Sequence, residues 1–527
     1  IRTFSTAVEL CDRYPDYVFA ASQPQQFQWV KEAEPCLYEK IREKFREGRI
    51  EPIGAMWVEP DMNLSSGESL VRQLIYGKKF FKDEFGVDTT TLWLPDVFGF
   101  NAALPQILKK SGVRTMLTIK LSWNEHNVFP LNTFMWEGID GSQVLVHMPP
   151  EGTYNSCASP ESTLIAQKNY AEKGRIGQAM MVFGVGDGGG GPSPSHLERL
   201  ARMKNLCGMP PVRIGRAQKF FDELWKKRKS LRSYRGELYL EKHQGTYTTQ
   251  AKNKFYNRKL EMLLRQAEFL STLAMLDSGM TYPKEEFDSI WKEILLYQFH
   301  DILPGSAIHR VYEESVERYK VLEKNVRELC AHAADALGGN KRSYLNASPV
   351  EINKIIQKGD KKFLLTLPPY SIRAEESSAE LKMCGAKADE DKLENQFIRV
   401  TFSKDGSIEE IFDKRSQTPI VQRGNVFVLY EDRGDAWDFD DRYYEREAEK
   451  ALLKDVNVEC DGQTAVRVQT LQIGGSFIQQ VIKLDNLSAF LQFENKIAFS
   501  EKKNFLRSSA KWNEYWHLLG EIILGIK

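Results

Sequence analysis

Three short stretches of the chain hold side chains whose types and positions suit chemistry. Asp96 stands in LWLPDVFGFN (92–101), directly after an apolar run that stops at Pro95, among Trp93, Phe98 and Phe100. A carboxylate placed there loses hydration unless a metal, a cationic side chain or a substrate pairs with it. Asp187 stands in VFGVGDGGGGP (182–192), one acid inside a glycine run that lets backbone approach a ligand closely. His300 and Asp301 close the apolar run LLYQFHDIL (295–303), just before Pro304-Gly305. A lone histidine in such a run is more often a satisfied core group than a ligand. Asp96 nevertheless calls for a cationic partner, and His with Asp is a usual zinc combination. Asp96 and Asp187 fall on two expected strand ends with a histidine packed against them, and two carboxylates flanking a bond is the general arrangement of glycoside hydrolysis.

The glycine loop has a rival reading. Gly184, Gly186 and Gly189 fit G-x-G-x-x-G, the pattern of a dinucleotide-dependent oxidoreductase. Against it, the loop runs on through Pro192 and Pro194 before any helix begins. No acid ends the next strand-like run, VRIG.

These residues need elements to position them. Strand-like runs at 18–22, 50–58, 90–95, 114–119 and 179–185 alternate with helix-like runs at 25–46, 66–85, 102–111 and 195–205. Ser65 or Ser66 offers a cap for the second helix, with Glu68 in its first turn. Such alternation implies a mostly parallel sheet with helices outside it, and ligands beyond the carboxyl ends of its strands. From about 250 to 337 the pattern is helical, in three long runs that read as a bundle. From 343 short alternating runs such as FIRVTFSKDGSIEEIFD read as an antiparallel β-sandwich. The closing KWNEYWHLLGEIILGIK does not continue that pattern. The expected division is an α/β domain over 1–240, a helical bundle over 241–340 and a β-sandwich domain over 341–527.

Composition excludes some classes of function. The chain has 527 residues, with 72 Lys+Arg against 72 Asp+Glu, so no net field draws nucleic acid or an anionic membrane surface. No apolar run is long enough to span a bilayer. Seven scattered cysteines, odd in number and without C-x-x-C, favour a reducing compartment and argue against a zinc finger. Aromatic residues make up 11%, which suits sugar rings but more often fills cores.

LWLPDVFGFNAALPQILKKSG, GDGGGGP, HQGTYTTQA, YQFHDILPGSAI and FIRVTFSKDGSIEEIFDK, in this order, resemble glycoside hydrolase family 38, the retaining α-mannosidases, and within it the cytosolic and vacuolar branch. The resemblance runs from Ile1 to about residue 500. It implies a barrel-like, mostly parallel α/β catalytic domain, then a three-helix bundle, then β-sandwich. It implies zinc-assisted double displacement on terminal α-D-mannosides, in the breakdown of free oligosaccharides or N-glycans.

Carried over by position, Asp96 matches the nucleophile, which also ligates a zinc or similar divalent ion, and His300 matches a second ligand. Asp187 matches the acid/base, Asp301 a carboxylate that binds sugar hydroxyls, and Tyr154 a substrate-lining tyrosine. Trp57, Asp61 and Trp437 fall in segments that border the family's pocket. The implied partner is an oligomannose substrate, with no nucleic acid or membrane partner. A homo-oligomer is left open, and the compartment is cytoplasmic, or vacuolar or lysosomal. The family's His-x-Asp pair at its first strand, which supplies two further zinc ligands, has no counterpart here. Its position falls just before Ile1, and the C-terminal sandwich looks incomplete. The expectation is therefore a fragment of such an enzyme that binds zinc poorly. The alternative function is that of an inactive fragment or a non-catalytic carbohydrate-binding protein.

Overall fold

A computed structural model describes all residues except 339–342, 360, 381–384, 441, 513–523 and 527. Its contacts divide into two compact units. The first comprises Ile1–Gln244, Lys252–Leu264 and Pro283–Asn325; the second comprises Gly245–Ala251, Arg265–Tyr282 and Val326–Lys527.

The first unit opens with helix α1 (Arg2–Arg13) and strand β1 (Phe19–Ala21), then α2 (Pro24–Ala33) and α3 (Pro35–Arg46). The single helix expected over 25–46 is thus two. Pro35 has no N–H to continue α2 and disfavours helical backbone at the residue before it. Glu34 accordingly sits at φ −139°, ψ 67°. Strand β2 (Ile50–Pro52) pairs in parallel with β1 and ends at its proline, well short of residue 58. Helix α4 (Gly67–Phe85) is capped by Ser66, whose hydroxyl accepts the Ser69 N–H. At Gly77 this helix presses on the chain that follows β2. A Cβ there would lie 2.4 Å from the Ala55 carbonyl oxygen and 2.8 Å from the Trp57 nitrogen, so the close approach requires glycine.

Next come β3 (Thr91–Trp93), α5 (Leu104–Lys110), β4 (Thr115–Leu117), β5 (Thr133–Glu137), β6 (Gln143–His147), α6 (Pro160–Asn169), α7 (Pro194–Arg202), α8 (Ala217–Lys226) and β7 (Ser233–Arg235). Five strands form one sheet in the order β3-β4-β6-β5-β7. All its pairings are parallel except the β5–β6 hairpin. Every residue of β4 is buried, as expected of a parallel strand covered on both faces. The strand expected over 179–185 is not one. Among the described residues it makes only two isolated bridges, Ser156 to Phe183 and Val185 to Gly191.

Helices α9 (Ala251–Ser278), α10 (Lys284–Tyr297) and α11 (His309–Ala336) match the three helical runs read from sequence. Within the first unit, Tyr319 of α11 stacks on Tyr256 of α9 and packs against Tyr297 of α10. Gln298, which caps α10, is fully buried and donates to Ser69, Asn257 and Glu261. Through its amide nitrogen this buried side chain ties α10 to α4 and α9.

The second unit is antiparallel β. Strands Ile398–Phe402, Ile408–Asp413, Thr418–Glu431 and Asn504–Trp512 belong to one sheet, and Leu452–Cys460, Thr464–Ile473, Ser476–Asp485 and Leu491–Ala498 form another. Alternate residues of the two meet in a core of Leu393, Val400, Phe402, Ala465, Ile482 and Leu484, which makes a sandwich. Lys511 and Trp512 still belong to the strand Asn504–Trp512, while 513–523 lie outside the described residues.

Candidate active site

Asp96 follows β3, and backbone bonds fix where its side chain starts. Leu94 N–H donates to Leu117 O, and the Ile119 and Lys120 N–H groups both donate to Pro95 O. The turn after β3 is thereby tied to the end of β4, where Lys120 begins a short 3₁₀ turn. The Lys120 ammonium lies 2.6 Å from Asp96 Oδ1 and is 3.5 Å from the centre of the Trp123 ring. Lys120 is only 4% exposed, so each charge relies on the other for what water would otherwise supply.

The second group facing Asp96 arrives from α10. The segment 59–61 runs antiparallel to 298–300: His300 N–H donates to Glu59 O, and Asp61 N–H to Gln298 O. The His300 Nδ1 lies 2.8 Å from the same Glu59 carbonyl, which only accepts, so Nδ1 carries a proton. This orients Nε2 toward Asp96 Oδ2 at 3.7 Å and Asp301 Oδ2 at 3.9 Å. Burial pushes His300 down, but its bond to Asp96 and the charges of Asp301, Glu59 and Asp96 outweigh that and raise it to about 9. Burial likewise raises Asp96, yet His300 and the Lys120 ammonium prevail and hold it at about 2. At neutral pH Asp96 is an anion between two cations. Glu59, fully enclosed and accepting from Ser22, is pushed up to about 7, chiefly by burial.

Tyr154 links the two carboxylates. Its hydroxyl is 2.9 Å from Asp96 Oδ2 and 3.1 Å from Asp187 Oδ1. Oxygens that flank one shared atom at these distances lie no more than about 6 Å apart. Burial and both carboxylates raise the Tyr154 phenol, so it stays protonated. Asp187 is exposed and reaches Tyr154 because its loop turns sharply. Gly189, Gly190 and Gly191 all have positive φ (66°, 104° and 66°), which L side chains rarely adopt. The loop is not the tight strand-to-helix turn of a dinucleotide site, because 178–183 belongs to no sheet and α7 starts only at Pro194.

The structure thus brings Asp96, Asp187, Tyr154 and His300 together, with Asp301 beside His300. Asp301 also accepts from Ser306 at 3.0 Å. Asp61 is buried, and its Oδ1 is taken by the Asn63 and Leu64 N–H groups of a turn. Trp57 is 1% exposed, donates to Gln25 and packs on Phe80, so it lies in the core and lines no open surface. Trp437 belongs to the second unit, in a turn where its N–H donates to Asp435. Lys120 and Asn155 escaped the sequence reading. For Lys120 a signal existed: it is the charge that ends the buried run TMLTI at a strand's carboxyl end. A separate groove of about 1020 Å³ opens between β1, the 178–183 segment and 208–217, and touches none of the four clustered residues.

Zinc suits histidine and carboxylate, and His300 Nε2 with Asp96 Oδ2 offers two donors on one side of the site. No group of three or more His, Cys, Asp or Glu that could hold a metal ion occurs among the described residues. Zinc takes at least three protein ligands even in open catalytic sites. The residues present therefore do not fit a tightly held zinc ion.

Three family models match consecutive stretches: "Glycosyl hydrolases family 38 N-terminal domain" over residues 1–237, "Alpha mannosidase middle domain" over 241–337 and "Glycosyl hydrolases family 38 C-terminal domain" over 393–513. Alpha-mannosidase 2C1 of Homo sapiens is 36% identical over 96% of this chain and 51% of its own length. Alpha-mannosidase G of Dictyostelium discoideum is 32% identical over 96% of this chain and 53% of its own. An alpha-mannosidase of Saccharomyces cerevisiae is 37% identical over 67% of this chain and 34% of its own. The chain spans about half the length of the first two of these relatives. The crystal structure of an alpha-mannosidase from Enterococcus faecalis V583 superposes with a TM-score of 0.81, at 16% identity over 97% of this chain and 72% of that one, a likeness of fold.

Proposed function

The chain belongs to glycosyl hydrolase family 38, and from that membership we propose that it carries the site for retaining hydrolysis of terminal α-D-mannosides. The observation that carries the reading is the Tyr154 hydroxyl held between Asp96 and Asp187. Retaining glycosidases keep their two carboxyl groups about 5–5.5 Å apart, whereas inverting ones leave about 6.5–9.5 Å for a water. Two carboxylates that share one hydroxyl fit the shorter spacing.

In the first step an Asp96 oxygen attacks the anomeric carbon. The bond to the leaving oxygen breaks, and Asp187 gives that oxygen its proton. In the second step Asp187, now a carboxylate, takes a proton from water. The water oxygen attacks the same carbon, the Asp96 ester bond breaks, and mannose leaves in the α configuration. Lys120 and His300 supply the charge that keeps Asp96 ionised before attack. Asp301, beside His300 and partly exposed, is placed to accept hydrogen bonds from sugar hydroxyls. The substrate class is an oligomannose or N-glycan-derived mannoside. The compartment we assign is the cytoplasm; in support, all six described cysteines are free.

A second reading, a carbohydrate-binding site that does not turn over, draws on the two-donor metal set. Product analysis separates the two. Proton NMR of an α-mannoside digest is expected to show α-mannose appearing first, with the β anomer growing in by mutarotation. β-Mannose appearing first contradicts retention. Binding of mannose by calorimetry, without turnover, supports the second reading.

Asp96 and His300 are also expected to hold divalent metal loosely. Metal analysis of the dialysed chain should give well under one zinc per molecule; a full equivalent that survives dialysis contradicts the two-donor account.

A further inference from the structure

Asn155 follows Tyr154 and touches the Asp187 loop twice. Its Nδ2 donates to Asp187 Oδ2 at 2.8 Å, and its Oδ1 accepts the Gly186 N–H at 2.6 Å. The second contact fixes the amide's orientation, since a backbone N–H requires an acceptor. The amide nitrogen therefore faces Asp187 with a proton of its own. An oxygen that already receives an N–H makes a poor site for a second proton between the same two atoms. The other carboxyl oxygen, Oδ1, faces the Tyr154 hydroxyl. That hydroxyl has one proton and two acceptors, Asp96 Oδ2 and Asp187 Oδ1. One proton cannot serve both acceptors, so when Asp187 acts as the acid, a proton on Oδ1 that is donated to Tyr154, with Tyr154 donating to Asp96, satisfies both contacts at once.

We propose that Asn155 is a positioning residue that confines the transferable proton of Asp187 to Oδ1, the oxygen turned toward Tyr154 and Asp96. The proposal rests on the assignment of Asp187 as the acid/base. The ordered chain runs from Asp187 Oδ1–H to Tyr154 and from Tyr154 to Asp96 Oδ2. An incoming glycosidic oxygen takes the place of Tyr154 as acceptor of the Oδ1 proton. The proton then moves to the leaving oxygen, its bonding pair stays on Oδ1, and Asn155 remains to stabilise the carboxylate that forms. The other groups near the loop come from α1: Thr3, whose hydroxyl accepts the Gly190 N–H, and Arg2, which packs near Gly190.

The test is Asn155→Asp, which preserves shape and an acceptor for Gly186 N–H but removes the donor to Oδ2. Hydrolysis of a mannosyl-mannose disaccharide, which needs acid help, is expected to fall at least 10-fold in kcat with little change in KM. A 2,4-dinitrophenyl mannoside, which needs almost none, is expected to stay within about 3-fold for bond cleavage. The alkaline limb of the disaccharide pH profile is expected to move up, because a donor to the ionised form has become a like charge. Asn155→Ala should show the same substrate split. Equal losses on both substrates mark a merely structural contact and overturn the proposal, as does an unmoved alkaline limb. Failure of the underlying assignment shows separately, as an Asp187→Ala variant that does not distinguish the two substrates.

Discussion

Replacing Asp96 by Ala is expected to lower mannoside hydrolysis by at least about 10³-fold, because the proposed mechanism makes Asp96 the group that forms the glycosyl-enzyme ester. Asp96 is an anion held at about 2 by His300 and Lys120 against the pull of burial, so at neutral pH it is poised to attack. The same pairing has a structural side. Truncation leaves the Lys120 ammonium, 4% exposed, without its partner. Breaking a buried pair from one side costs about 3–5 kcal/mol, so Asp96→Ala should also melt earlier. Asp96→Asn combined with Lys120→Met removes both charges and should recover much of that stability without recovering activity. Chemical rescue adds a sharper readout. Azide entering the space of the missing carboxylate should attack an activated aryl mannoside from the same side, giving the β-mannosyl azide as the aryloxide leaves. An Asp96→Ala enzyme that keeps within 10-fold of normal turnover would remove Asp96 from the reaction.

Replacing Asp187 by Ala is expected to cost about 10²–10⁴-fold on a mannosyl-mannose substrate, the range typical of general acid catalysis. On a dinitrophenyl mannoside the first step should survive, since that leaving group departs as a stable anion. The second step loses its base, so the mannosyl-enzyme accumulates and the steady state slows. Azide needs no deprotonation and should restore turnover by taking mannose from Asp96 as the α-azide. The two variants are thus told apart by the hand of the azide product, β for Asp96→Ala and α for Asp187→Ala. Stability should barely move, because Asp187 is exposed and held by Tyr154 and Asn155 alone among the described side chains. Equal losses on both substrates without rescue would move the acid role elsewhere. Glu59 would be the next candidate: it is enclosed near His300 and pushed up to about 7, and so partly protonated at neutral pH.

How far the sequence could be read depended on how local each cause is. Asp96 was legible because its setting is local, an acid after a buried run and a proline. A serine cap at 65 or 66 was legible for the same reason, and it is Ser66 that accepts the Ser69 N–H; α9, α10 and α11 showed through apolar periodicity over long runs. His300 was legible as a candidate only, since its partner Asp96 lies two hundred residues away. The break at Glu34–Pro35 was visible in the proline yet overridden by the strength of the helical pattern on either side. The 178–183 segment has the composition of a strand but makes no ladder, and pairing is a property of neighbours that composition does not carry. Lys120 was missed because its role depends on a partner 24 residues away. Asn155 was missed because one amide in a loop forms no pattern at all. Trp57, which the resemblance put in a segment bordering the family's pocket, has its indole enclosed against α4.

The central claim is that Asp96 forms a covalent bond to the sugar while Asp187 manages the protons. The most direct test is to trap that bond with a slow, fluorine-substituted α-mannosyl donor carrying an activated leaving group, then to digest the protein and map the added mass. The account predicts one mannosyl equivalent per chain, on Asp96 in the peptide that contains LWLPDVFGFN, with none formed by Asp96→Ala. An adduct on Asp187, Glu59 or any other residue would contradict it, as would hydrolysis of the reagent through an inverting product with no adduct.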